Sequence, residues 1–512
     1  MTEKNFINKK EVFLTIIFGE FKFNQISTFL KSNSTVIHAI HEFTAYELVK
    51  NKIFPAPMFS EKNDGCLDLE MFDYCDELFA RDIVGIEKDD PLLASVKFIL
   101  FYEYINIVKV KLYLEQNLDK NIILVTSGRL LRWLNEMDES LISANVQVIT
   151  LNEVNMITAI SNSYLNSFNG RYNSLRYMVG LPVKLLLDFR GNRRSVIQNS
   201  TVLCSNSVIS EKMAKLICGS GTSCKRVSDT VKPHMILGNI FLQFKHRSMV
   251  ALDLKLPRNF GVFFMFYAIV MRAYSYAVQN FLSENHSKIA HLVQHTDVSP
   301  LTAIWATICK KRNVSTIVGQ HGLIVEPFGI SRILSDVGYL THDKTFSIYQ
   351  QMNPHKKIYK INDYLIDESV NAGDWLKGGG KKSKNIVVFT CGYSGNSFYS
   401  CFSLNFRLIR AVLDSLHLLS WRPNVVVKVH PSEKARLYKN IFPDLTVTSK
   451  FTYEQYLDCR LAFVSPSTIS LKLAKLGVPF FDASALWRGK LEEELKVEVL
   501  NYFENQISRG SA

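Results

Sequence analysis

Short apolar runs rich in Val and Ile alternate along the chain with longer stretches whose apolar residues return at helical spacing. EVFLTIIFG (residues 11–19) and STVIHAI (34–40) predict strands. Residues 92–118 predict a long helix. NIILVTSG (121–128) predicts a strand, RLLRWLNEM a helix and NVQVITLN (145–152) another strand. Strand, helix and strand in this order imply a parallel sheet with helices on its faces. Residues 161–256 break the rhythm with helical patterns, the strand-like STVLCSN and the turn-rich CGSGTSC, which predicts a helical insertion or cap. A helix over 262–282 then leads to KIAHLVQHTD (strand), PLTAIWATICKKR (helix) and VSTIVGQHG (strand and loop). On this reading the first sheet resumes after the insertion and ends near Tyr339.

WLKGGGKKSKN (375–385) has three consecutive glycines and four lysines, which no core element tolerates, and it predicts a linker. A second alternating unit follows, with NIVVFTCGYSGN, NVVVKVHP and LAFVSPST as strands between helical patterns. The predicted fold is therefore α/β. It has two Rossmann-like doubly wound domains facing a cleft, residues 1–374 and 386–512, with the insertion in the first. The length of 512 residues, too great for one ordinary domain, agrees.

Composition narrows the class. The chain is 47% hydrophobic and 21% charged, a globular balance. A net charge of +13 favours anionic partners such as a nucleotide phosphate or an acidic membrane face. The lysines are dispersed and no base-reading module is visible, so nucleic acid is not an expected partner. The nine cysteines include no Cys-x-x-Cys pair, which argues for reduced thiols in a cytoplasmic protein and against a zinc ribbon. The first residues do not have the pattern of a signal peptide. The apolar stretch NFGVFFMFYAIVM (259–271) is shorter than the roughly 20 residues needed to span a bilayer, and it predicts the start of a buried helix. An interfacial membrane contact is the alternative.

Ligands of open parallel sheets bind beyond the carboxyl ends of the strands, so polar strand tips form the shortlist. In NVVVKVHPSEK, His430 ends an apolar strand and Pro431 has no N–H to continue the ladder. A histidine aimed at the crevice can donate to a phosphate or exchange a proton near neutral pH. The plainer reading is a surface turn. In VSPSTISLKLAKLGVP, Ser465, Ser467 and Thr468 sit where a strand hands over to a helix, whose free N–H groups suit a phosphate. Here the plainer reading is helix capping. In VGQHGLIVEPFG, Gln320, His321 and Gly322 follow a strand, with Glu326 close by to orient the histidine. In FTCGYSGNS, Gly392, Ser394 and Gly395 form a small loop without a P-loop lysine, and an ordinary tight turn competes. QHTDVSP brings His295, Asp297 and Ser299 to another tip. VTSGR offers Ser127 and Arg129, for which capping is the simpler account. His321, Asp297 and Glu326 are the candidate bases for an acceptor hydroxyl. Zincin, nucleophile-elbow, Walker and kinase motifs are missing, and no His/Asp spacing suggests a metal.

A late KVHP strand, SPSTISLKLAKLGVP and an earlier GQHG together resemble bacterial surface-polysaccharide glycosyltransferases of the GT-B fold. The resemblance is to enzymes that use CMP-activated ulosonic acids, the sialyl-, polysialyl- and Kdo transferases. It implies that His430, Pro431, Ser467 and Thr468 bind the CMP part of the donor, and it calls for no metal or other cofactor. The families' acidic Asp/Glu-Asp-Gly motif is not matched; Asn63-Asp64-Gly65 comes nearest and has an amide in place of the first acid. A GT-B transferase using a UDP-sugar or a CDP-linked, teichoic-acid-type donor is the first alternative. A nucleotide- or carbohydrate-binding protein without turnover is the second. On this reading the remaining donor contacts come from Ser465, Gly392, Ser394 and Gly395. The acceptor, an anionic or lipid-linked glycan, lies near Gln320, Gly322, Ser127 and Arg129. The protein would work in the cytoplasm, with a possible peripheral contact at the inner membrane.

Overall fold

The computed structural model describes residues 13–30, 34–53, 55–56, 83–84, 90–137, 139–142, 145–154, 171–187, 197–246, 253–254, 258–297, 299–319, 333–341, 343–361, 374–377, 383–391, 403–419, 422–431, 433–465, 467–483 and 492–508. In chain order the first strands are β1 (Phe13–Phe18), β2 (Ser34–Ala39), β3 (Ile83–Val84), β4 (Ile122–Thr126) and β5 (Val146–Thr150). The middle of the chain supplies β6 (Thr201–Cys204), β7 (Cys224–Arg226), β8 (Asp253–Leu254), β9 (Ile289–Gln294), β10 (Ser315–Gly319), β11 (Val337–Leu340) and β12 (Lys357–Lys360). The last region adds β13 (Asn385–Phe389), β14 (Asn424–Lys428), β15 (Thr446–Thr448), β16 (Leu461–Val464) and β17 (Phe480–Asp482).

These strands form three parallel sheets, plus the small antiparallel pair β3–β8. The first sheet has the order β2-β1-β4-β5, the second β12-β11-β10-β9-β6-β7 and the third β15-β14-β13-β16-β17. The α/β class and the alternation therefore hold. The expected single sheet before the linker does not: β1, β2, β4 and β5 form one sheet, while β6 and β7, inside the stretch taken for a helical insertion, belong to a second, in which β6 pairs with β9. A Val/Ile-rich run specifies burial on both faces but not which neighbour it pairs with.

Each sheet has one point where the strand order reverses: between β1 and β4, between β6 and β9, and between β13 and β16. Crossovers leave in opposite directions there and open a crevice at the carboxyl ends. Those three points set where chemistry can occur.

The sheets are buried as parallel sheets must be. In the first, Ile122 and Leu124 face one core while Ile123 and Val125 face another. In the second, Val202, Cys204, Val293 and Ile317 pack under Met213 and Ala214 of the helix Val208–Cys218. The helix Arg258–Asn285 carries the apolar stretch predicted to be buried; Tyr267, Val270, Met271 and Tyr274 lie inside the main core. Among the described residues no helix is long and apolar enough to cross a membrane. Trp375, placed at the start of the predicted linker, lies in the helix Asp374–Lys377. Trp375 is 2% exposed, packs into the core of the third sheet and donates its indole N–H to the Cys459 carbonyl at 2.6 Å.

The first and third sheet regions touch through the helix Glu42–Lys50, which packs against the helices Ser403–Leu418 and Ala435–Ile441. The buried Arg407 donates to the Pro55 carbonyl, and Asn440 donates to the Tyr46 hydroxyl at 3.3 Å. Beside this seam His38 is buried between two partners. A carbonyl only accepts, so Nδ1 carries the proton toward Ala56 O (3.0 Å), and Nε2 accepts from the Tyr113 hydroxyl (2.8 Å). Burial above all, with the charge of Arg407 adding to it, pulls the ring from 6.5 down to about 4, although its bond to Ala56 works the other way. The unfolded chain takes up this proton near pH 6.5 and the folded chain only near 4. The neutral ring's contribution is thus complete above 6.5 and lost as pH falls toward 4, about 3 kcal/mol over the full window. Urea midpoints of the wild type should fall across that window more steeply than those of His38→Gln; parallel curves would sink this assignment.

Candidate functional site

The switch point of the third sheet carries a buried polar network built from five segments. β13 ends at Phe389, and Thr390 and Cys391 follow it. β14 runs into Val429, His430 and Pro431, where the ladder stops. The chain then turns back on itself: Glu433 N–H donates to the His430 carbonyl at 2.9 Å, and His430 N–H donates to Glu433 Oε2 at 3.1 Å. The result is a tight turn over residues 430 to 433 whose closing acid reaches back to the first N–H.

Glu433 is the centre. It is 5% exposed, and donors meet both its oxygens. Oε2 accepts from the Thr390 hydroxyl and from His430 N–H. Oε1 accepts from the Tyr438 hydroxyl at 2.8 Å and from Asn405 Nδ2 at 3.1 Å. Asn405, in the first turn of the helix Ser403–Leu418, also grips Cys391: its Oδ1 accepts from Cys391 N–H at 3.3 Å and its Nδ2 donates to Cys391 O at 3.1 Å. The Ser465 hydroxyl, just past β16, donates to the same Oδ1 at 3.0 Å. The tips of β13, β14 and β16 are thus tied by side chains across the reversal. Burial pushes the Glu433 carboxyl from 4.5 up to about 7, against the pull of its hydrogen-bond donors, first Thr390 and Tyr438.

His430 and Ser465, both predicted for the donor side, come together here. Their parts differ. Ser465 is 2% exposed and its hydroxyl is committed to Asn405, so it holds the frame. His430 is half-buried and its backbone is fixed twice, to Glu433 and to Thr390 Oγ1 (3.0 Å). Burial, and then the charge of Lys428, lower its ring below the usual range, so it is neutral at pH 7. Pro431 is exposed. Thr468 precedes the helix Ile469–Leu476 in a helical conformation and makes no side-chain cap bond. Ser467 Oγ accepts only a long bond of 3.5 Å from Ile469 N–H. The capping expected of these hydroxyls is barely used.

The other tips give different outcomes. At the first sheet Ser127 caps the helix Gly128–Met137, accepting from Leu130 N–H at 3.3 Å, and Arg129 pairs with Glu153 at 3.3 Å beside Trp133. The Ser127 bond is the capping that the simpler account describes, whereas the Arg129 ion pair is a separate tie between two segments. At the second sheet Asp297 is 3% exposed and accepts from Ser335 N–H at 2.7 Å, a tie to the segment entering β11. Burial raises its carboxyl above the usual range. Gln320, His321, Gly322 and Glu326 lie outside the described residues, as do Gly392, Ser394, Gly395 and Asn63-Asp64-Gly65. Among the described residues no cluster of His, Cys, Asp and Glu has the arrangement of a metal site.

The residue that sequence reasoning missed is Glu433. In HPSEK it has the look of a solvated turn. Its one signal is the spacing of an acid three residues after His430, ahead of the helix Ala435–Ile441. Compared with known proteins, the chain matches no family model and no curated protein sequence.

Proposed function

We propose that the protein is a glycosyltransferase of the GT-B type, with the nucleotide of an activated sugar on the third-sheet unit. The observation that carries this reading is the anchored His430. A buried acid and two backbone bonds fix a histidine at the carboxyl end of an interior strand, next to β13, which borders the reversal of strand order. So much fixed polar structure around one half-buried ring exceeds what a surface turn needs.

A neutral imidazole donates one N–H to a phosphate oxygen. The N–H groups and hydroxyls at the start of Ile469–Leu476, with Thr468 and Ser467, add donors and a favourable dipole. Donors aimed at the leaving phosphate stabilise the negative charge that grows there as the glycosidic bond breaks. An acceptor hydroxyl would lose its proton to a base on the second sheet. The tie of Asp297 to Ser335 leaves it poorly suited to that part. A CMP-linked ulosonic acid is the first donor to try, as the KVHP and SPST resemblance implies; CDP- and UDP-linked donors are the alternatives. An anionic glycan suits the net charge of +13, as does contact with an acidic membrane face.

The test is a panel of CMP-, CDP- and UDP-linked sugars, scored by nucleotide released. Release from one class is the expected result. Nucleotide binding without release from any donor would instead mark a binding protein.

A further inference from the structure

The switch point of the second sheet holds a cluster that the donor site does not use. Ser205 follows β6 directly, and His295 follows β9, its neighbour in the sheet. Ser205 Oγ lies 2.9 Å from His295 Nδ1 and 2.5 Å from the Ser210 hydroxyl in the first turn of Val208–Cys218. Ser210 Oγ lies 3.4 Å from the same Nδ1. The backbone locks the arrangement: Ser205 N–H donates to Val293 O at 3.0 Å, and His295 N–H donates to Ser205 Oγ at 3.4 Å. The two serines are 1% and 0% exposed, whereas the imidazole is half-buried.

Two buried hydroxyls therefore converge on one nitrogen of a ring at the carboxyl edge. A histidine that only filled space would not need both. With Nδ1–H donating to Ser205 Oγ, the ring is oriented and the Nε2 lone pair is the one that accepts a proton. The pairing of β9 with β10 puts this ring at the tip next to the one that runs into Gln320.

We propose that His295 is the proton acceptor for the attacking hydroxyl, with Ser205 and Ser210 as its positioning residues. This inference rests on the transferase reading. In the step, the acceptor O–H proton passes to His295 Nε2, and the acceptor oxygen forms a bond to the anomeric carbon. The bond from that carbon to the phosphate oxygen breaks, and its electron pair leaves with the nucleotide. The imidazolium then returns its proton to water.

The experiment measures nucleotide released from the donor panel, alongside binding of CMP. In His295→Gln, release should fall by about a hundredfold to ten-thousandfold, the usual share of a general base, while the CMP dissociation constant stays within about twofold of wild type. Release within about threefold of wild type overturns the proposal. Ser205→Ala keeps the ring and removes its anchor. It should lower kcat by about tenfold with donor KM unchanged, and Ser205→Thr, which restores the hydroxyl, should recover most of the loss. An unchanged kcat in Ser205→Ala overturns the positioning role and serves as the arbiter if His295→Gln does not fold. A wild type that consumes no donor removes the transferase reading and this inference together. An active wild type with an equally active His295→Gln removes this inference alone.

Discussion

Glu433→Ala is expected to destabilise the protein by about 3 kcal/mol, the cost of a buried cavity with stranded donors. Its carboxyl is met by Thr390, His430 N–H, Tyr438 and Asn405, and it is only 5% exposed. Part of the loss is recovered locally, because His430 N–H keeps Thr390 Oγ1 and Asn405 keeps Cys391. Glu433→Gln separates shape from charge. The amide fills the space but sets an NH2 against donors on one side, costing about 1–3 kcal/mol. It also removes a titration. The folded carboxyl is raised from 4.5 to about 7, so its favourable contribution is complete below pH 4.5 and lost as pH rises to 7, up to about 3 kcal/mol. The urea midpoint of wild type minus that of Glu433→Gln should therefore shrink between pH 5 and pH 8. A difference that stays constant would show that the carboxyl is not displaced.

His430→Ala should leave the fold intact and abolish most turnover. Alanine keeps the backbone N–H that Glu433 and Thr390 hold, so the variant isolates the ring. Loss of one preoriented donor to a leaving phosphate costs about a hundredfold to a thousandfold in kcat. Nucleotide affinity should weaken as well, since the same donor meets the ground-state phosphate. Wild-type release and wild-type CMP affinity in this variant would end the donor-site assignment, whatever the panel shows for the native protein. On the transferase reading the two variants divide the site: Glu433 would act on stability first and on the nucleotide through His430, and His430 would act on the nucleotide directly.

Much of the architecture was legible because it depends on local pattern. The NIILV, NVVV and LAFV runs are strands where their apolar character put them, and His430 stands at a strand tip because Pro431 ends the ladder. What failed depends on distant partners. TVLC could not announce that it pairs with KIAHLVQ rather than with the first strands. Glu433 could not announce burial, since its neighbours in sequence are polar and its partners come from residues 390, 405 and 438. Trp375 sat beside three glycines and belongs to the core of the third sheet for the same reason. The paired hydroxyls on His295 arise only once β6 and β9 are adjacent.

The seam between the helix Glu42–Lys50 and the last third of the chain has a consequence for biosynthesis. Pro55 and its partner Arg407 are 352 residues apart. At about 5–20 residues per second, the carbonyl is synthesised roughly 20 to 70 s before its guanidinium exists. Through that interval the outer face of the first sheet's helix is without its native cover. Nascent chains stalled before residue 400 should therefore recruit chaperones that chains stalled after residue 441 release.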